Sequence, residues 1–437
     1  MNEDVPPGEK AYAKVILAHV ICTYRREGTV FQKIELLKPL LSESYRIIVV
    51  DNGSTLPETD EKYLKIIHSP NYGGSAGFAR GMMESLKTDA THILLNDDDA
   101  EVEPDAIHRT LEYLSRLPPE KKDVCICGIM LDSDNPNIVY EAGAQVSDGD
   151  LVPLKHGANI STEAGLLALE EQERIDFANW TYFCVPVSLV KEHGLPLPMF
   201  VREDDVEYGL RLKAEIVTVP GVYVKHPTYT SDYNPVNYYH YVRNRLAALC
   251  CSGNPDISIL NKFFDEMATE ACSYRYLSCE QMIQGMKDFL RGPDHVFMQC
   301  RDGMHSAERP RFENLSILRG RVSFTDSVPE EEFSKRRRSL NGVFKRSIGD
   351  IETTPFDMDS AHFYRVGKVL YRVNEEKGFI AERKVSKAIS YAIRITLLKR
   401  KAMKLFPKLK EEYRRSRDRF TTEEFWMSLF GDNPEER

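Results

Sequence analysis

Residues 92–105 read HILLNDDDAEVEPD, and they change at once from an apolar run to three carboxylates. The run predicts a buried strand that ends in Asp97, Asp98 and Asp99, and Pro104 with Asp105 suits the first turn of a helix. Three consecutive carboxylates repel one another unless cations compensate them. Hard divalent cations prefer oxygen ligands, so the stretch predicts a Mn²⁺ or Mg²⁺ site beside a diphosphate. The alternative is a solvated acidic turn.

Neighbouring segments repeat this pattern of an apolar strand that ends in polar residues. Residues 14–22 and 46–51 predict two further strands, and a turn-forming Asp-Asn-Gly-Ser begins at Asp51. Helices are predicted at 29–42 and 78–88. The alternation predicts an α/β fold with a mainly parallel, mixed sheet between helices. In such sheets ligands bind beyond the carboxyl ends of the strands.

The glycine-rich segment 71–81, NYGGSAGFARG, links a strand to a helix. Its glycines would let the backbone approach a nucleotide or a sugar, and the helix N-terminus would face phosphate. The segment matches neither the dinucleotide-binding nor the P-loop pattern, and loops of this kind also occur without a ligand.

Acidic and aromatic residues further along the chain offer other site residues. The acidic run 202–207 precedes a predicted helix, and one carboxylate there is a candidate general base; the alternative is an acidic helix start that favours the dipole. His226 closes an apolar run, either as a ligand or as a structural histidine. Trp180 and Tyr182 are candidate stacking platforms for a sugar ring, or core aromatics.

Composition excludes several classes of protein. The chain has 437 residues, of which 42% are hydrophobic and 29% charged, so a disordered or collagen-like protein is excluded and two or three domains are expected. No apolar run approaches 18 residues and the N-terminus lacks a signal region, so neither a spanning helix nor secretion is expected. The nine scattered cysteines fit a reducing cytosol, and the net charge of −9 argues against nucleic-acid binding.

The C-terminal half has a different character. We predict a catalytic domain over residues 1–235 and a mostly helical region over 236–437, with no predicted fold for 302–360. The tract 383–419 holds 14 Lys and Arg against three Asp and Glu, and predicts a basic helix interrupted at Pro407.

Apolar residues in the basic tract recur every four positions, at 385, 389, 393 and 397, and would line one helical face. This amphipathic pattern predicts docking on an anionic membrane surface, and the alternative is an ordinary helix packed on the protein. A chain that ends near residue 380 is therefore expected to keep activity on a soluble acceptor and to lose binding to anionic liposomes.

Taken in order, these motifs resemble glycosyltransferase family 2, which has the GT-A nucleotide-sugar-binding fold, over roughly residues 12–250. Bacterial galactofuranosyltransferases of this family share the loop N-x-G-G-x-x-G-F-x-R-G, the Asp-Asp-Asp, an acidic pair followed by E-Y-G-x-R, and a later histidine. The segment 237–244 is similar to their Y-Y-x-x-R-N motif. Two features depart from these enzymes: Glu203 stands where Trp is usual, and no β-rich domain is expected before the first strand.

The resemblance implies a role for each matching residue. Asp205 aligns with the general base. The implied metal ligands are Asp97, Asp99 and His226, and the acceptor region holds Trp180, Tyr182 and Asp204. The implied donor-binding residues are Thr23, Arg26, Asp51, Asn71, Gly74, Asp97 and Asp98.

The function expected from this resemblance is a metal-dependent, inverting transfer of galactofuranose from UDP-galactofuranose to a glycan acceptor in bacterial surface polysaccharide synthesis. The acceptor is expected to be carried on a lipid. Alternatives are a family 2 transferase with another donor such as dTDP-rhamnose, a non-catalytic nucleotide-sugar or glycan-binding protein, and a metal-dependent phosphatase or nuclease. The expected location is cytoplasmic and peripheral on the inner face of the cell membrane, and an oligomer is compatible with the sequence.

Overall fold

The computed structural model describes residues 14–228, 233–302, 310–325 and 340–431. The N-terminal segment, which is expected to lack a signal region, lies almost wholly outside these residues. Most of the charged stretch 333–342 lies outside them as well. The described residues form two compact units, one of 14–200, 205–227 and 418–431, and one of 201–204 and 228–417 with the gaps given above. The division at residue 235 stays a prediction.

The first unit contains a large mixed sheet and a separate two-stranded hairpin formed by residues 144–147 and 150–153. Its strands are β1 (Leu17–Thr23), β2 (Tyr45–Asp51), β3 (Leu64–His68), β4 (His92–Asp97), β5 (Glu101–Val102), β6 (Cys125–Asp132), β7 (Val139–Glu141), β8 (Ala144–Ser147), β9 (Asp150–Pro153), β10 (Phe183–Pro186) and β11 (Ile216–His226). Its first six helices are α1 (Glu27–Leu37), α2 (Gly74–Leu86), α3 (Pro104–Arg116), α4 (Glu163–Glu170), α5 (Val187–His193) and α6 (Asp204–Leu212).

The large sheet has nine strands within the described residues, in the order β3-β2-β1-β4-β10-β6-β11-β5, with β7 paired to β6. Six of them run in one direction, and β5, β7 and β10 run in the other. The predicted α/β fold with a mainly parallel, mixed sheet is therefore confirmed.

Parallel pairing brings the polar strand ends to one edge of the sheet. In the register of β1, Thr23 lies beside Asp51 of β2, and Cys22 lies beside Asp97 of β4. Every residue of β1 is buried, because helices cover both faces of the central strands. On one face, the apolar rows of α1 and α3 join the same core cluster as β1, β2 and β4.

The second unit is mostly helical, as predicted. Its helices are α7 (Val236–Ala248), α8 (Ile259–Cys272), α9 (Tyr276–Phe289), α10 (Pro293–Met298), α11 (Leu315–Arg319) and α12 (Val385–Phe420). It also contains a four-stranded sheet that the sequence did not predict, built from β12 (Glu313–Asn314), β13 (Gly349–Thr353), β14 (Val366–Arg372) and β15 (Lys377–Glu382) in the order β12-β15-β14-β13. Part of this sheet falls in the stretch 302–360, for which no fold was predicted.

Helix α12 continues through Pro407 without interruption, so the predicted break at this proline is wrong. An interior proline removes one backbone hydrogen bond and costs about 3 kcal/mol. Phe406 and Leu409, on either side of it, are buried, and this packing offsets the loss. Among the described residues, no helix is both long enough and apolar enough to cross a bilayer.

The last helix, α13 (Glu423–Phe430), belongs to the first unit. Trp426 has no exposed surface, and its indole Nε1 donates to the Pro196 carbonyl at 3.1 Å. Phe430 stacks on Tyr72 of the glycine-rich segment, with ring centroids 6.4 Å apart. A chain ending near residue 380 would lack this helix of the first unit, and its activity on a soluble acceptor stays a prediction.

We predict that Trp426→Ala lowers the free energy of unfolding by about 3–5 kcal/mol, because it opens a cavity and leaves the Pro196 carbonyl without its donor. Chemical denaturation followed by circular dichroism measures this change. Phe344→Ala is a matched control, since that ring is 65% exposed, and it should change stability by less than about 0.5 kcal/mol. A loss below about 1 kcal/mol for Trp426→Ala would show that the packing of α13 through this residue contributes little to stability.

Candidate active site

The three carboxylates after β4 are held by side chains from neighbouring strand ends. Thr23 Oγ1 donates to Asp98 Oδ2 at 2.8 Å. Arg26 Nη1 lies 3.2 Å from Asp98 Oδ1 and 2.5 Å from Asp99 Oδ2. His226, the last residue of β11, places Nε2 3.1 Å from Asp99 Oδ1. The structure thus brings together five residues that the sequence analysis assigned to donor or metal.

Asp97, Asp99 and His226 form a group that fits a metal ion. One ligand atom from each residue lies within 4.8 Å of the other two. Two carboxylate oxygens and one imidazole nitrogen form a donor set that suits Mn²⁺ well, since carboxylates favour hard cations and imidazole favours transition metals. The residues present therefore fit the predicted divalent cation.

The charges in this group are unequal. Burial raises the pKa of Asp97 to about 7, and the neighbouring Asp99 charge adds to the effect. Burial acts in the same direction on Asp99, but hydrogen bonds from His226 and Arg26 prevail and hold the pKa of Asp99 well below its usual range. Burial lowers the pKa of His226, but the contact with Asp99 outweighs this effect, and the pKa of the imidazole is raised. A divalent cation would compensate the two aspartates together.

A buried polar network, missed by the sequence analysis, supports the end of β4. Lys33 Nζ donates to Asn96 Oδ1 at 2.7 Å and to the Asp97 carbonyl at 2.5 Å. Burial lowers the pKa of Lys33 to about 8, and the three aspartates act against that shift. One signal was visible in the sequence, because Lys33 lies on the apolar row of α1 between Val30 and Leu37.

His19 completes this network from inside β1. Its ring nitrogens lie 2.7 Å from the Tyr45 hydroxyl and 3.1 Å from Asn96 Oδ1. Burial, and then the nearby Lys33 charge, lowers the pKa of His19 to about 3, so the ring is neutral. Asn96 also donates to the Thr181 carbonyl. These bonds fix the strand end from which the three aspartates project.

The carboxylate of Asp51 is engaged within the protein. It has no exposed surface, and its carboxylate accepts from the backbone N–H groups of Gly53, Thr55 and Leu56 at 2.9, 2.6 and 2.7 Å. The side chain therefore holds the loop after β2. A donor contact by Asp51 stays a prediction.

The glycines of segment 71–81 are explained by packing within the protein. A Cβ on Gly73 would lie 2.0 Å from the Phe200 carbonyl oxygen, and one on Gly77 would lie 2.1 Å from Cys22 Sγ. The Gly74 N–H donates to the same Phe200 oxygen at 2.7 Å, so this amide already has a protein partner. Asn71 Oδ1 accepts from the Gly73 N–H at 3.2 Å and shapes the loop. Donor contacts by Asn71 and Gly74 stay predictions.

The two aromatic residues proposed for the acceptor lie in the core. Tyr182 has no exposed surface, and its hydroxyl is 2.6 Å from Thr110 Oγ1, so it offers no stacking face and its acceptor role is corrected. Trp180 is 4% exposed and meets the rings of Phe78 and Tyr208 edge-on. Its carbonyl accepts from the Asp97 N–H at 2.9 Å, which links it to the strand end.

The acidic pair stands at the start of α6. Asp204 is buried, whereas Asp205 is partly exposed, and Asp205 Oδ1 accepts from the Val206 N–H at 2.8 Å. Exposure makes Asp205 the better candidate for a base that meets an acceptor.

Glu141, at the end of β7, is a carboxylate that the sequence analysis missed. Its Oε1 accepts from Asn179 Nδ2 at 2.7 Å. Burial, and then the charge of Asp205, raises the pKa of Glu141 to about 7. No motif in the sequence links these two carboxylates, which lie far apart in the chain. In the folded chain, the charge of Asp205 therefore acts on Glu141.

The backbone that leads into α6 is strained. Phe200, Arg202 and Glu203 have φ angles of 72°, 66° and 70°, in the left-handed region that side chains disfavour. In the second unit, Asn244 Nδ2 donates to the Val201 and Arg202 carbonyls at 2.7 and 3.2 Å. Arg245 forms a buried, bidentate ion pair with Glu203. Residues in and next to the Y-Y-x-x-R-N segment thus hold this loop.

The family model described as glycosyl transferase family 2 matches residues 19–151. These residues form a family 2 glycosyltransferase domain. The match contains β1, β2, β4 and the three aspartates, so the predicted family resemblance and the predicted fold class are confirmed.

Two curated relatives are galactofuranosyltransferases. The chain is 28% identical over 345 residues to galactofuranosyltransferase GlfT2 of Mycolicibacterium smegmatis, which covers 71% of this chain and 52% of that protein. It is 29% identical over 272 residues to the GlfT2 of Mycobacterium tuberculosis, which covers 57% of this chain and 42% of that protein. The chain thus spans about half the length of these relatives or less.

One solved structure that this chain matches is that of the mannosyltransferase PcManGT from Pyrobaculum calidifontis, in complex with GDP-Man and Mn²⁺. It shares 12% sequence identity, with a TM-score of 0.34, over 57% of this chain and 64% of that chain.

We predict that Glu141→Gln stabilises the protein more at pH 8 than at pH 4.5. The pKa of Glu141 in the folded protein is raised to about 7. The wild-type protein therefore loses stability as the pH rises from the ordinary pKa of glutamate through 7, whereas glutamine does not titrate. The difference should reach about 2–3 kcal/mol at pH 8. Thermal unfolding across this range measures it, with the exposed Glu120→Gln as control. A difference that does not vary with pH would show that Glu141 is not perturbed.

Proposed function

We propose that this protein is a metal-dependent, inverting glycosyltransferase that moves galactofuranose from UDP-galactofuranose to a glycan acceptor in surface polysaccharide synthesis. The observation that carries the proposal is the group of Asp97, Asp99 and His226 beside Asp98, at the carboxyl edge of a family 2 domain. Identity to the two galactofuranosyltransferases supports the choice of donor sugar.

Each residue near the strand ends has a part in holding the donor. Asp97, Asp99 and His226 would hold Mn²⁺ or Mg²⁺, and the bound cation would neutralise charge on a leaving nucleoside diphosphate. Arg26 is half exposed beside these carboxylates, so its guanidinium can reach a phosphate oxygen as well. Thr23 holds Asp98 in place, and Asp98 faces the donor sugar in this proposal.

The chemical step uses Asp205 as the general base. Asp205 accepts the proton of an acceptor hydroxyl while that oxygen forms a bond to the anomeric carbon. The bond from the anomeric carbon to the diphosphate oxygen breaks on the opposite face, so one displacement inverts the anomeric configuration. The pKa of Glu141 is raised to about 7, so this carboxyl can be protonated near neutral pH. In that state it can donate a hydrogen bond to the acceptor sugar. Asp204 and Trp180 are proposed to shape the acceptor side.

The proposed acceptor is a glycan carried on a lipid, and the proposed location is the inner face of the cell membrane. This setting agrees with surface polysaccharide synthesis, in which acceptors are carried on lipid diphosphates.

A panel of nucleotide sugars tests the donor directly. UDP-galactofuranose should give the fastest release of nucleotide in the presence of a galactofuranose-containing acceptor, with slower release from dTDP-rhamnose and UDP-galactopyranose. Faster turnover of dTDP-rhamnose would assign another donor to the same family. No release from any donor, with tight binding retained, would indicate a binding protein.

We predict that Asp205→Asn lowers turnover by about 10²–10⁴, because it removes the proton acceptor while it keeps the side-chain shape. Binding of UDP, followed by calorimetry, should stay within about twofold of wild type. The control is Asp265→Asn, an exposed carboxylate on α8, which should leave turnover unchanged. Near-normal turnover of Asp205→Asn would exclude this residue as the base.

We predict that excess EDTA abolishes transfer and that added Mn²⁺ restores it. Asp99→Ala should weaken UDP binding at least tenfold in the presence of Mn²⁺ and change it little without the metal, because the variant removes one ligand and leaves the fold intact. The exposed Asp134→Ala is the matched control. Full activity in EDTA would contradict the metal site.

A further inference from the structure

The outward face of α12 carries an unusual row of aliphatic side chains. Val385, Ile389, Ile393 and Leu397 are 41%, 38%, 56% and 58% exposed. They recur every four residues and so lie along one side of the helix. The opposite side is packed within the second unit, through the buried Tyr391, Ile395, Leu398, Ala402 and Phe406. The exposed row is therefore additional to the face that holds the helix in the fold.

The charge around this row has a single sign. Residues 385–410 contain eight Lys and Arg and no Asp or Glu. Arg400, Lys401 and Lys404 follow the apolar row and are exposed. Within the described parts of the chain none of these three forms an ion pair. In contrast, Arg394 on the packed side pairs with Glu280 at 2.5 Å.

An apolar cavity of about 220 Å³ lies beside α12. Its lining includes Ala388, Ala392 and Thr396 of α12, each directly before or after a residue of the row, together with Ala268 and Ala271 of α8. Helix α12 therefore borders apolar space within the second unit in addition to its exposed row.

We propose that this face of α12, from Val385 to Lys404, docks on the surface of an anionic lipid bilayer. The apolar row would enter the boundary between headgroups and acyl chains, and Arg400, Lys401 and Lys404 would meet anionic headgroups. The single sign of charge selects this partner over a symmetric pair of chains, because two copies joined through this face would oppose one positive surface to another. The inference deepens the proposed location at the cell membrane by naming the surface that binds it, and it does not depend on the proposed transfer activity.

Sedimentation with vesicles tests the inference without any donor or acceptor. The full-length chain should sediment with vesicles of phosphatidylglycerol and phosphatidylcholine at 50 mM salt. At 500 mM salt it should bind these vesicles at least tenfold more weakly, because salt screens the electrostatic attraction. Binding to vesicles of phosphatidylcholine alone should be weaker to the same extent, because this lipid carries no net charge.

Two sets of variants separate the two contributions. Arg400→Gln/Lys401→Gln/Lys404→Gln should weaken binding about a hundredfold, since each basic residue at an anionic surface contributes about a factor of five. Ile393→Asp/Leu397→Asp should weaken it at least tenfold. The matched control is Leu166→Asp/Leu167→Asp on α4, where both leucines are similarly exposed. It should bind like wild type, and circular dichroism should show every variant folded.

Three results would overturn the inference. The first is an intact chain that does not sediment with anionic vesicles at low salt. The second is binding that the α12 variants leave unchanged. The third is a lipid-free oligomer, seen by light scattering, that dissociates in the Ile393→Asp/Leu397→Asp variant, since the face would then be an interface between protein chains.

Discussion

The repulsion among Asp97, Asp98 and Asp99 is the constraint on which the site depends. Three carboxylates on consecutive residues at the edge of a buried sheet are unfavourable unless positive charge and donors surround them. The guanidinium of Arg26 contacts Asp98 and Asp99, and the Lys33 ammonium donates to the Asp97 carbonyl. His226 arrives on a separate strand and pairs with Asp99. A divalent cation bound at this group would take over part of the compensation that these side chains supply.

Rigid support accompanies this charge. Asn96 receives hydrogen bonds from Lys33 and lies within reach of His19, so the strand end cannot turn away from the edge. Asp51 holds its own loop with three backbone hydrogen bonds. Polar residues buried near a site can therefore serve the backbone that carries the site. We assign Lys33, Asn96 and Asp51 to this positioning role.

The sequence predicted most of the fold because its strands are apolar runs that end in turn residues, and this pattern survives in the structure at β1, β2 and β4. The metal group was found because the residues of a matching motif fall at strand ends. Tyr182 was misassigned because a buried aromatic and a stacking platform look alike in sequence. Glu141 was missed because its hydrogen-bond partner Asn179 and the charge of Asp205 that acts on it are both distant in sequence.

The mostly helical character of the C-terminal half was predicted, but three of its features were not. The short strands β13, β14 and β15 mix charged and apolar residues, so they give no clear alternation. Pro407 suggested a break, yet buried neighbours keep α12 continuous. Helix α13 is grouped with the first unit through Trp426, although it follows the second unit in the chain. Contacts between residues distant in sequence decided each of these features.

The most direct test of the central claim is anomalous diffraction from crystals grown with Mn²⁺ and UDP. We predict one strong manganese peak bounded by Asp97, Asp99 and His226, with the diphosphate of UDP beside it. No peak at these side chains, or UDP bound elsewhere on the protein, would contradict the assignment of this strand edge as the site of sugar transfer.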